Sequence, residues 1–242
     1  MAFLVTSDEE TGSASSRALI ESVAAGARAT LVLEPSAGGA LKTARKGVST
    51  YRVEVQGRAA HAGLEPEKGA NALIELAHQV LHLEALARPE MGTTVTPTVA
   101  GAGTTTNTVP AVAYVDVDVR VASGAEQQRV DQAMHALSAT VAGTAVVVSG
   151  GPNRPPLPAF SSAALAARAV GLAAELGLGP LATCEVGGGS DGNFTAALGV
   201  PTLDGLGAVG DGAHARGEHV LVSAMPERAA LVAALLEDLL GH

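Results

Sequence analysis

The sequence Phe3-Leu4-Val5-Thr6-Ser7-Asp8-Glu9-Glu10-Thr11-Gly12-Ser13 joins an apolar run, which predicts a buried strand, directly to three consecutive acids. Burying a carboxylate without a partner is costly, so these acids should lie in water at an edge of the sheet or face a cation. In open α/β sheets that edge binds ligands. Of two adjacent carboxylates there, one could bind a metal and the other could transfer protons. The alternative is a solvated acidic turn at the start of a helix.

The next segment of the chain repeats this pattern. Residues 13–24 have apolar positions at helical spacing, and residues 28–33 form a second apolar run that ends at Glu34 and Pro35. A strand, a helix and a strand with an acid at each strand end predict a βαβ unit. Its carboxylates should share one edge of the sheet.

A different domain is predicted from about residue 46, where apolar and polar residues begin to alternate. The predicted strands cover residues 48–57, 93–99, 111–121 and 145–149, and the predicted helices cover residues 69–86 and 124–140. The order β-α-β-β-α-β is that of the split-βαβ, ferredoxin-like arrangement. After residue 150 helices and strands alternate again. We therefore predict an α/β domain at residues 1–45 and 151–242, interrupted by an α+β domain at residues 46–150.

The composition limits the possible functions. Hydrophobic residues make up 47% of the chain and charged residues 16%, as in globular proteins. Aromatic residues reach only 2% and the net charge is −9, which argues against a nucleic-acid partner. The single Cys184 excludes an internal disulfide and a cysteine-rich zinc site. No apolar run has membrane-spanning length and no charged leader precedes the first predicted strand, so we expect a cytoplasmic protein.

Seven short motifs follow one another over nearly the whole chain in the order of a known family. With these motifs the chain resembles the M20 metallopeptidases, and most closely their glutamate carboxypeptidase (carboxypeptidase G2-like) branch. The motifs are residues 7–13, 33–35, 57–63, 107–111, 116–120, 187–191 and 212–214. The resemblance implies a zinc-exopeptidase-like catalytic α/β domain and an inserted ferredoxin-like domain that acts as lid and dimerisation domain.

The resemblance also implies a hydrolase with two zinc ions per subunit. Glu9 matches the general base that activates the metal-bridging water, Glu10 and His214 match ligands of one zinc, and Glu34 matches a ligand of the other. Two neighbouring metals can polarise the scissile carbonyl group and lower the pKa of a shared water. The implied reaction cleaves an amide or peptide bond next to a free carboxylate and releases a C-terminal amino acid such as glutamate. N-acyl amino acid deacylases and deacetylases of the family are the alternative.

The resemblance implies a homodimer that forms through residues 46–150. His61 matches a histidine that reaches the partner protomer's active site and donates to the oxyanion of the tetrahedral intermediate, and Asn107 matches a residue that helps there. From the residues alone, Asn107 could also be a turn residue before Pro110.

Four further residues match positions that bind the substrate, a small peptide or an N-acyl amino acid. Arg120 and Arg154 match arginines that grip its terminal carboxylate. Gly188 and Gly189 match a turn whose backbone N–H groups face the substrate. From the residues alone, Arg120 could instead belong to a solvated polar ladder on its strand.

The chain departs from the family pattern at the metal centre. The family places a His-x-Asp motif and a metal-bridging Asp before its acidic motif, and no His-x-Asp occurs in the 242 residues. We expect a sequence that lacks the leading part of the family and an incomplete zinc site. Two rival hypotheses remain: a non-catalytic dimerisation module, and a dinucleotide-binding protein suggested by the glycines of residues 187–192.

Overall fold

The structure is a computed structural model that describes residues 1–241, and the chain divides into two compact units. The split unit combines Met1–Lys46 with the chain from Arg154 onward, and the continuous unit is Gly47–Asn153. The helices within the described residues are α1 (Arg17–Ala24), α2 (Ala72–Glu84), α3 (Gly124–His135), α4 (Ala159–Glu175), α5 (Gly192–Ala197) and α6 (Met225–Leu240). The strands there are β1 (Thr30–Leu31), β2 (Leu41–Arg45), β3 (Gly47–Gln56), β4 (Thr94–Ala102), β5 (Val112–Val121), β6 (Ala145–Arg154), β7 (Thr183–Val186), β8 (Thr202–Leu203), β9 (Gly210–Asp211) and β10 (His219–Val220). None of the helices within residues 1–241 has both the length and the hydrophobicity needed to cross a membrane.

The continuous unit contains a four-stranded sheet in the order β4-β5-β3-β6. Strand β5 runs antiparallel to both of its neighbours, with Val117 opposite Tyr51 of β3 and Val119 opposite Val95 of β4. The elements follow one another as β3-α2-β4-β5-α3-β6. The predicted β-α-β-β-α-β order is therefore confirmed.

One face of this sheet is buried under α2 and α3. Strand β5, and β3 from Ser49 onward, bury every second residue, as their alternating sequences predict. The fully or almost fully buried members of this core include Val53, Val55, Val115, Val117, Val119, Leu83, Val130 and Met134. Burying one such Val or Leu side chain stabilises a fold by roughly 1.5–3 kcal/mol, so this cluster holds the unit together.

Helix α2 begins later than predicted because Asn71 caps it. The side chain of Asn71 accepts hydrogen bonds from the backbone N–H groups of Leu73 at 3.0 Å and Ile74 at 3.2 Å. One turn further along the helix, the fully buried Glu75 accepts hydrogen bonds from the loop at residues 138–144. Helix α3 was predicted to reach residue 140 but ends at His135, and this loop follows it.

The split unit is built on two pairs of parallel strands, β1 with β8 and β2 with β7. Helices α4 and α6 pack against them, and the core cluster contains Leu41, Leu165, Leu172, Leu203, Leu206, Leu231 and Leu235. Strand β2 was not predicted, because its sequence Leu-Lys-Thr-Ala-Arg shows no strong apolar alternation. Its pairing with β7 nevertheless gives this unit a second parallel ladder.

The prediction of a buried strand at residues 3–6 is wrong. These residues have no regular secondary structure, and Phe3 and Val5 are 78% and 77% exposed. A strand needs a neighbour that satisfies its backbone N–H and C=O groups, and no part of the described chain pairs with this segment. The predicted βαβ unit is therefore not formed, although its helix is present as α1 and part of its second strand as β1.

Candidate active site

The carboxyl ends of the parallel strands in the split unit carry several candidate residues. Glu34 follows β1, the glycine turn at residues 187–189 follows β7, and Asp204 follows β8. The backbone N–H of Gly207 donates to the backbone oxygen of Glu34 at 2.9 Å, which fixes Glu34 beside the segment after β8. This is the edge at which open α/β sheets bind ligands.

The first of the three consecutive acids, Asp8, shapes the turn that carries the other two. Its Oδ2 accepts hydrogen bonds from the N–H and the hydroxyl of Ser15, at 2.8 and 2.7 Å, and from the N–H of Ser16 at 3.3 Å. These bonds, chiefly the one from the Ser15 hydroxyl, hold the pKa of the Asp8 carboxyl well below its ordinary value. The short helix Glu9–Thr11 follows directly. Asp8 therefore has a local structural role, which leaves Glu9 and Glu10 for chemistry.

Arg154 is bonded to the acidic turn. Its Nη2 donates to the backbone oxygen of Glu9 and to Glu9 Oε1, both at 3.0 Å, to Ser13 Oγ at 2.8 Å and to Asp191 Oδ1 at 3.2 Å. The side chain is only 7% exposed, and its guanidinium carbon lies 5.3 Å from the ring centre of Phe194. Acceptors of the chain itself thus bind the guanidinium of Arg154, which the family resemblance matches to a substrate-binding arginine.

The Glu9 carboxyl lies among other acids. Its pKa is above the ordinary value, mainly because burial disfavours the charged form. The positive charge of Arg154 opposes this rise, whereas the negative charges of Glu34, Asp191 and Glu10 add to it. Glu9 is therefore close enough to the other candidate acids to sense their charge, and it belongs to the same acidic site.

Glu34 shares this environment. Burial raises the pKa of its carboxyl group, and the charge of Asp204 raises it further, while Arg45 and Lys42 oppose the rise. Glu10 contributes a smaller increase. The charges of Glu9 and Glu10 thus belong to the same electrostatic environment as Glu34, although Glu34 lies far from both in sequence.

Glu10 and His214 form the one predicted ligand pair, among the described residues, whose side chains approach each other. His214 Nε2 lies 3.9 Å from Glu10 Oε2, and both side chains are 78% exposed. His214 has a left-handed backbone, with φ of 63°, in the loop between β9 and β10. The loop therefore presents the imidazole ring next to the acidic turn.

The donors present do not fit a complete zinc centre. Catalytic zinc takes three protein ligands and a water molecule, and a structural zinc takes four protein ligands. Among residues 1–241, no group of three or more His, Cys, Asp or Glu side chains is placed to hold one metal ion. The Glu10–His214 pair supplies two donors of such a set.

The glycine turn after β7 is fixed by a buried arginine. Arg45 Nη1 donates to the backbone oxygens of Gly188 at 3.0 Å and Gly189 at 3.2 Å. The same guanidinium forms two hydrogen bonds to Asp204, which is fully buried. Helix α5, which follows the turn, has only six residues, so the turn lacks the long helix of a dinucleotide-binding motif.

The continuous unit brings His61 and Asn107 together. The two residues lie on adjacent backbone segments, where the N–H of Ala62 donates to the oxygen of Asn107 at 2.8 Å. His61 Nδ1 accepts hydrogen bonds from the N–H groups of Gly63 and Leu64, both at 3.1 Å. Because Nδ1 accepts, the neutral ring carries its proton on Nε2, and the exposed side chain can offer it as a donor.

Arg120, also in the continuous unit, is engaged by a neighbour on its own strand. Its Nε and Nη2 donate to Asp118 Oδ1 and Oδ2, both at 2.8 Å. The hydrogen bond to Asp118 raises the pKa of Arg120 above its ordinary value. Arg52 makes a similar pair with Asp116 on the same sheet. The predicted polar ladder is therefore present, and the substrate-binding role of Arg120 stays a prediction.

The sequence motifs assigned no role to Arg45 and Asp204, which lie at the carboxyl ends of the parallel strands. Asp204 follows a short apolar strand, as Glu34 does, and that shared pattern could have drawn attention to it. Arg45 gave no comparable signal, because its partner lies 159 residues further along the chain. Ser13 and Asp191, which bind Arg154, were part of matched motifs but were assigned no role.

The fold is similar to that of solved peptidases. The structure is similar to the aminopeptidase PepT from Bacillus cereus ATCC 10987, with a TM-score of 0.83, 25% identity, and coverage of 97% of this chain and 63% of that chain. Residues 43–145 match the M20 peptidase dimerisation domain. The chain is thus a relative of the M20 peptidases, which confirms the resemblance predicted from its motifs, and the α/β fold class is confirmed with it.

Curated relatives point to the same family. The chain is 34% identical to Carboxypeptidase G2 from Pseudomonas sp. (strain RS-16), an alignment that covers 98% of this chain and 58% of that protein. It is 43% identical over 94 residues to one component of the p-aminobenzoyl-glutamate hydrolase from Escherichia coli (strain K12), covering 37% of this chain and 22% of that protein. The chain therefore spans a little over half the length of Carboxypeptidase G2.

Proposed function

We propose that this protein is a hydrolase that cleaves an amide or peptide bond next to a free carboxylate and releases a C-terminal amino acid such as glutamate. The observation that carries the proposal is the geometry around the acidic turn of the split unit, where His214 Nε2 lies 3.9 Å from Glu10 Oε2 and Arg154 Nη2 donates to Glu9 Oε1 at 3.0 Å. The names of two relatives, Carboxypeptidase G2 and p-aminobenzoyl-glutamate hydrolase, support this substrate class.

The proposed chemistry is a proton transfer by Glu9. Its carboxylate takes a proton from the attacking water and passes it to the leaving amine nitrogen, while Arg154 holds its backbone and its Oε1 in place. In the proposed homodimer, developing charge on the scissile carbonyl oxygen would be met by donors of the second protomer, such as its His61 Nε2–H and the side chain of its Asn107. Arg120 and Arg154 stay candidates for the substrate carboxylate.

The M20 relationship implies a divalent metal, and the finer proposal is zinc. Glu10 and His214 would contribute to one zinc position and Glu34 to another. Since the described residues hold no complete donor set, we expect fewer than two zinc ions per chain when elemental analysis is done on protein purified without chelator. Two zinc ions per chain would contradict that expectation.

Hydrolysis of N-(4-aminobenzoyl)-L-glutamate tests the proposed function, with released glutamate as the signal. We expect Glu9→Gln to lower the rate by at least about 100-fold, because a positioned general base contributes that much. Glu67→Gln, which removes an exposed acid of the continuous unit, is the matched control and should leave the rate unchanged. Release of acetate from N-acetyl amino acids, without glutamate release, would instead favour the deacylase alternative. A rate unaffected by Glu9→Gln would rule out its role as base.

A homodimer through residues 46–150 is the second proposal, and the surface of the continuous unit favours it. Strand β4 lies at an edge of the sheet, and α2, which packs near it, exposes Leu73, Ile74 and Leu81 by 49%, 50% and 64%. An apolar stripe beside an unpaired strand edge suits association with a second copy. This unit would then act as lid and dimerisation domain and the split unit as catalytic domain.

Light scattering at micromolar concentration tests the dimer. We expect the wild-type chain to have the mass of a dimer and Leu81→Glu to shift it towards the monomer, because the charge would be buried in the interface. Leu176→Glu, which changes an equally apolar exposed residue of the split unit, should leave the dimer intact. A monomeric wild-type chain would contradict the proposal. A cytoplasmic location also stays a prediction.

A further inference from the structure

The buried pair Arg45–Asp204 lies directly beneath the glycine turn. Arg45 Nε donates to Asp204 Oδ2 at 2.7 Å and Arg45 Nη2 to Asp204 Oδ1 at 2.9 Å. The two side chains are 4% and 0% exposed. Replacing a buried ion pair by apolar residues is often neutral or even stabilising, so stability alone gives little reason for one here. The remaining hydrogen bonds of the pair indicate what else it does.

The third donor of this pair, Arg45 Nη1, faces the turn. It donates to the carbonyl oxygens of two successive residues, Gly188 and Gly189. The described chain has no cis peptide bonds, and in a trans peptide the N–H points opposite to the C=O. Because the oxygen of Gly188 points at Arg45, the N–H of Gly189 points away from it.

The outward N–H of Gly189 has no acceptor within residues 1–241. The next N–H along, that of Ser190, differs because it donates to Asn193 Oδ1 at 2.9 Å. Gly189 itself is partly exposed, whereas Ser190 is fully buried. The N–H of Gly189 is therefore free for a ligand, and the bond from Arg45 to the oxygen of Gly188 sets its direction.

Asp204 holds the arrangement rigid. Its Oδ2 accepts from the hydroxyl of Ser190 at 2.5 Å, and its Oδ1 accepts from the N–H of Gly205 at 2.5 Å. The carboxylate thus connects Arg45, the end of the glycine turn and the segment after β8. With the Arg45, Asp204 and Ser190 side chains all buried, the pair cannot move without breaking several hydrogen bonds.

We propose that Arg45 and Asp204 are positioning residues that turn the carbonyls of Gly188 and Gly189 inward and so aim the N–H of Gly189 at a carboxylate oxygen of the substrate. The proposal rests on the proposed function for its substrate class. It adds two residues, Arg45 and Asp204, that act through the backbone of the turn and touch no substrate themselves.

Amide NMR on the 15N-labelled chain tests the proposal, with glutarate as the probe because it carries carboxylates and has no amide bond to cleave. In the wild-type chain we expect saturable movement of the Gly189 amide signal. Arg45→Lys keeps the charge but has only three donors for the four hydrogen bonds that Arg45 makes to Asp204, Gly188 and Gly189. It should move the free-protein signals of Gly188 to Ser190 and weaken glutarate binding at least tenfold.

Arg28→Lys is the matched control, because Arg28 also lies in the split unit and donates to a backbone carbonyl, that of Leu239, at 2.6 Å. It should change neither the Gly189 signal nor glutarate binding. A folded Arg45→Lys chain with unchanged Gly189 signal and unchanged affinity would overturn the proposal. So would a wild-type Gly189 signal that does not respond to glutarate.

Hydrogen exchange of the wild-type chain covers the case in which Arg45→Lys does not fold. The Gly189 N–H should exchange quickly and the Ser190 N–H slowly, because only the second is buried and bonded. A protected Gly189 N–H would overturn the proposed orientation. Glutarate binding at Gly189 in a chain that hydrolyses no N-acyl-glutamate would count against the proposed function alone.

Discussion

Two arginine–aspartate pairs in this protein have nearly the same geometry and very different surroundings. Arg45 donates to Asp204 at 2.7 and 2.9 Å, and Arg120 donates to Asp118 at 2.8 and 2.8 Å. The side chains of the first pair are 4% and 0% exposed, and those of the second are 32% and 31% exposed. Water can replace either partner of the exposed pair but cannot reach the buried one. Breaking the bidentate bond should therefore destabilise the split unit strongly and the continuous unit very little.

The largest effect is expected for Asp204→Ala. Removing this carboxylate leaves the Arg45 guanidinium buried and unpaired, so the free energy of unfolding should fall by about 3–5 kcal/mol. Urea unfolding followed by circular dichroism measures the change. Asp118→Ala is the control on the exposed pair. If both variants lost the same amount of stability, burial would not be what separates the two pairs.

A double variant sharpens the comparison by separating stability from positioning. Arg45→Met combined with Asp204→Leu removes both buried charges together, so the double variant should be more stable than Asp204→Ala. The carbonyls of Gly188 and Gly189 would still lack their donor, so glutarate binding should not return. Recovery of binding together with stability would mean that the pair serves the fold only.

The second largest effect is expected for Glu75→Gln, which tests a buried carboxylate with no arginine among the partners that lower its pKa. Burial alone would raise the pKa of Glu75, but hydrogen bonds from Gln79 and from the backbone of Val141 and Thr140 outweigh it and lower the pKa to about 2. The neutral side-chain amide introduced by Glu75→Gln cannot accept these bonds as strongly, and losing such charge-assisted bonds costs roughly 1.5–3 kcal/mol. Urea unfolding at pH 7 measures the loss.

The same residue predicts a pH dependence. Because the pKa of Glu75 is lower in the folded chain than its ordinary value of 4.5, its stabilising contribution is complete above that value. The contribution should then be lost as the pH falls towards 2. The difference in unfolding free energy between the wild-type chain and Glu75→Gln should therefore shrink between about pH 5 and pH 2. A constant difference across this range would show that the carboxylate is not held ionised by the loop.

The continuous unit was predictable from its sequence, and part of the split unit was not. Strand β5, and β3 from Ser49 onward, bury every second residue, and this local pattern is visible without knowledge of the partner strands. The run at residues 3–6 is as apolar as a core strand, but whether such a run forms a strand depends on a neighbour that its own sequence does not show.

The candidate site was likewise predictable only in part from the sequence. The motifs matched Glu9, Glu10, Glu34 and His214 to one centre, and in the structure His214 Nε2 lies 3.9 Å from Glu10 Oε2. The catalytic and metal-binding roles of these residues stay predictions. The partners of Arg154 and Arg45 could not be foreseen, because Arg154 meets Glu9 across 145 residues of sequence and Arg45 meets Asp204 across 159. Residue type and local pattern carry no information about contacts that only the tertiary fold creates.

The smallest effect is expected for Asp118→Asn, which weakens the exposed pair without changing its size. The free energy of unfolding should fall by at most about 1 kcal/mol, because water solvates the released Arg120. Even this loss should diminish in 1 M salt, where charges are screened within roughly 3 Å. The variant also frees the Nε and Nη2 of Arg120 from their intramolecular partner. If Arg120 binds the substrate carboxylate, KM for N-(4-aminobenzoyl)-L-glutamate should then decrease. An unchanged KM would show that Arg120 does not bind the substrate and belongs only to the polar ladder of its sheet.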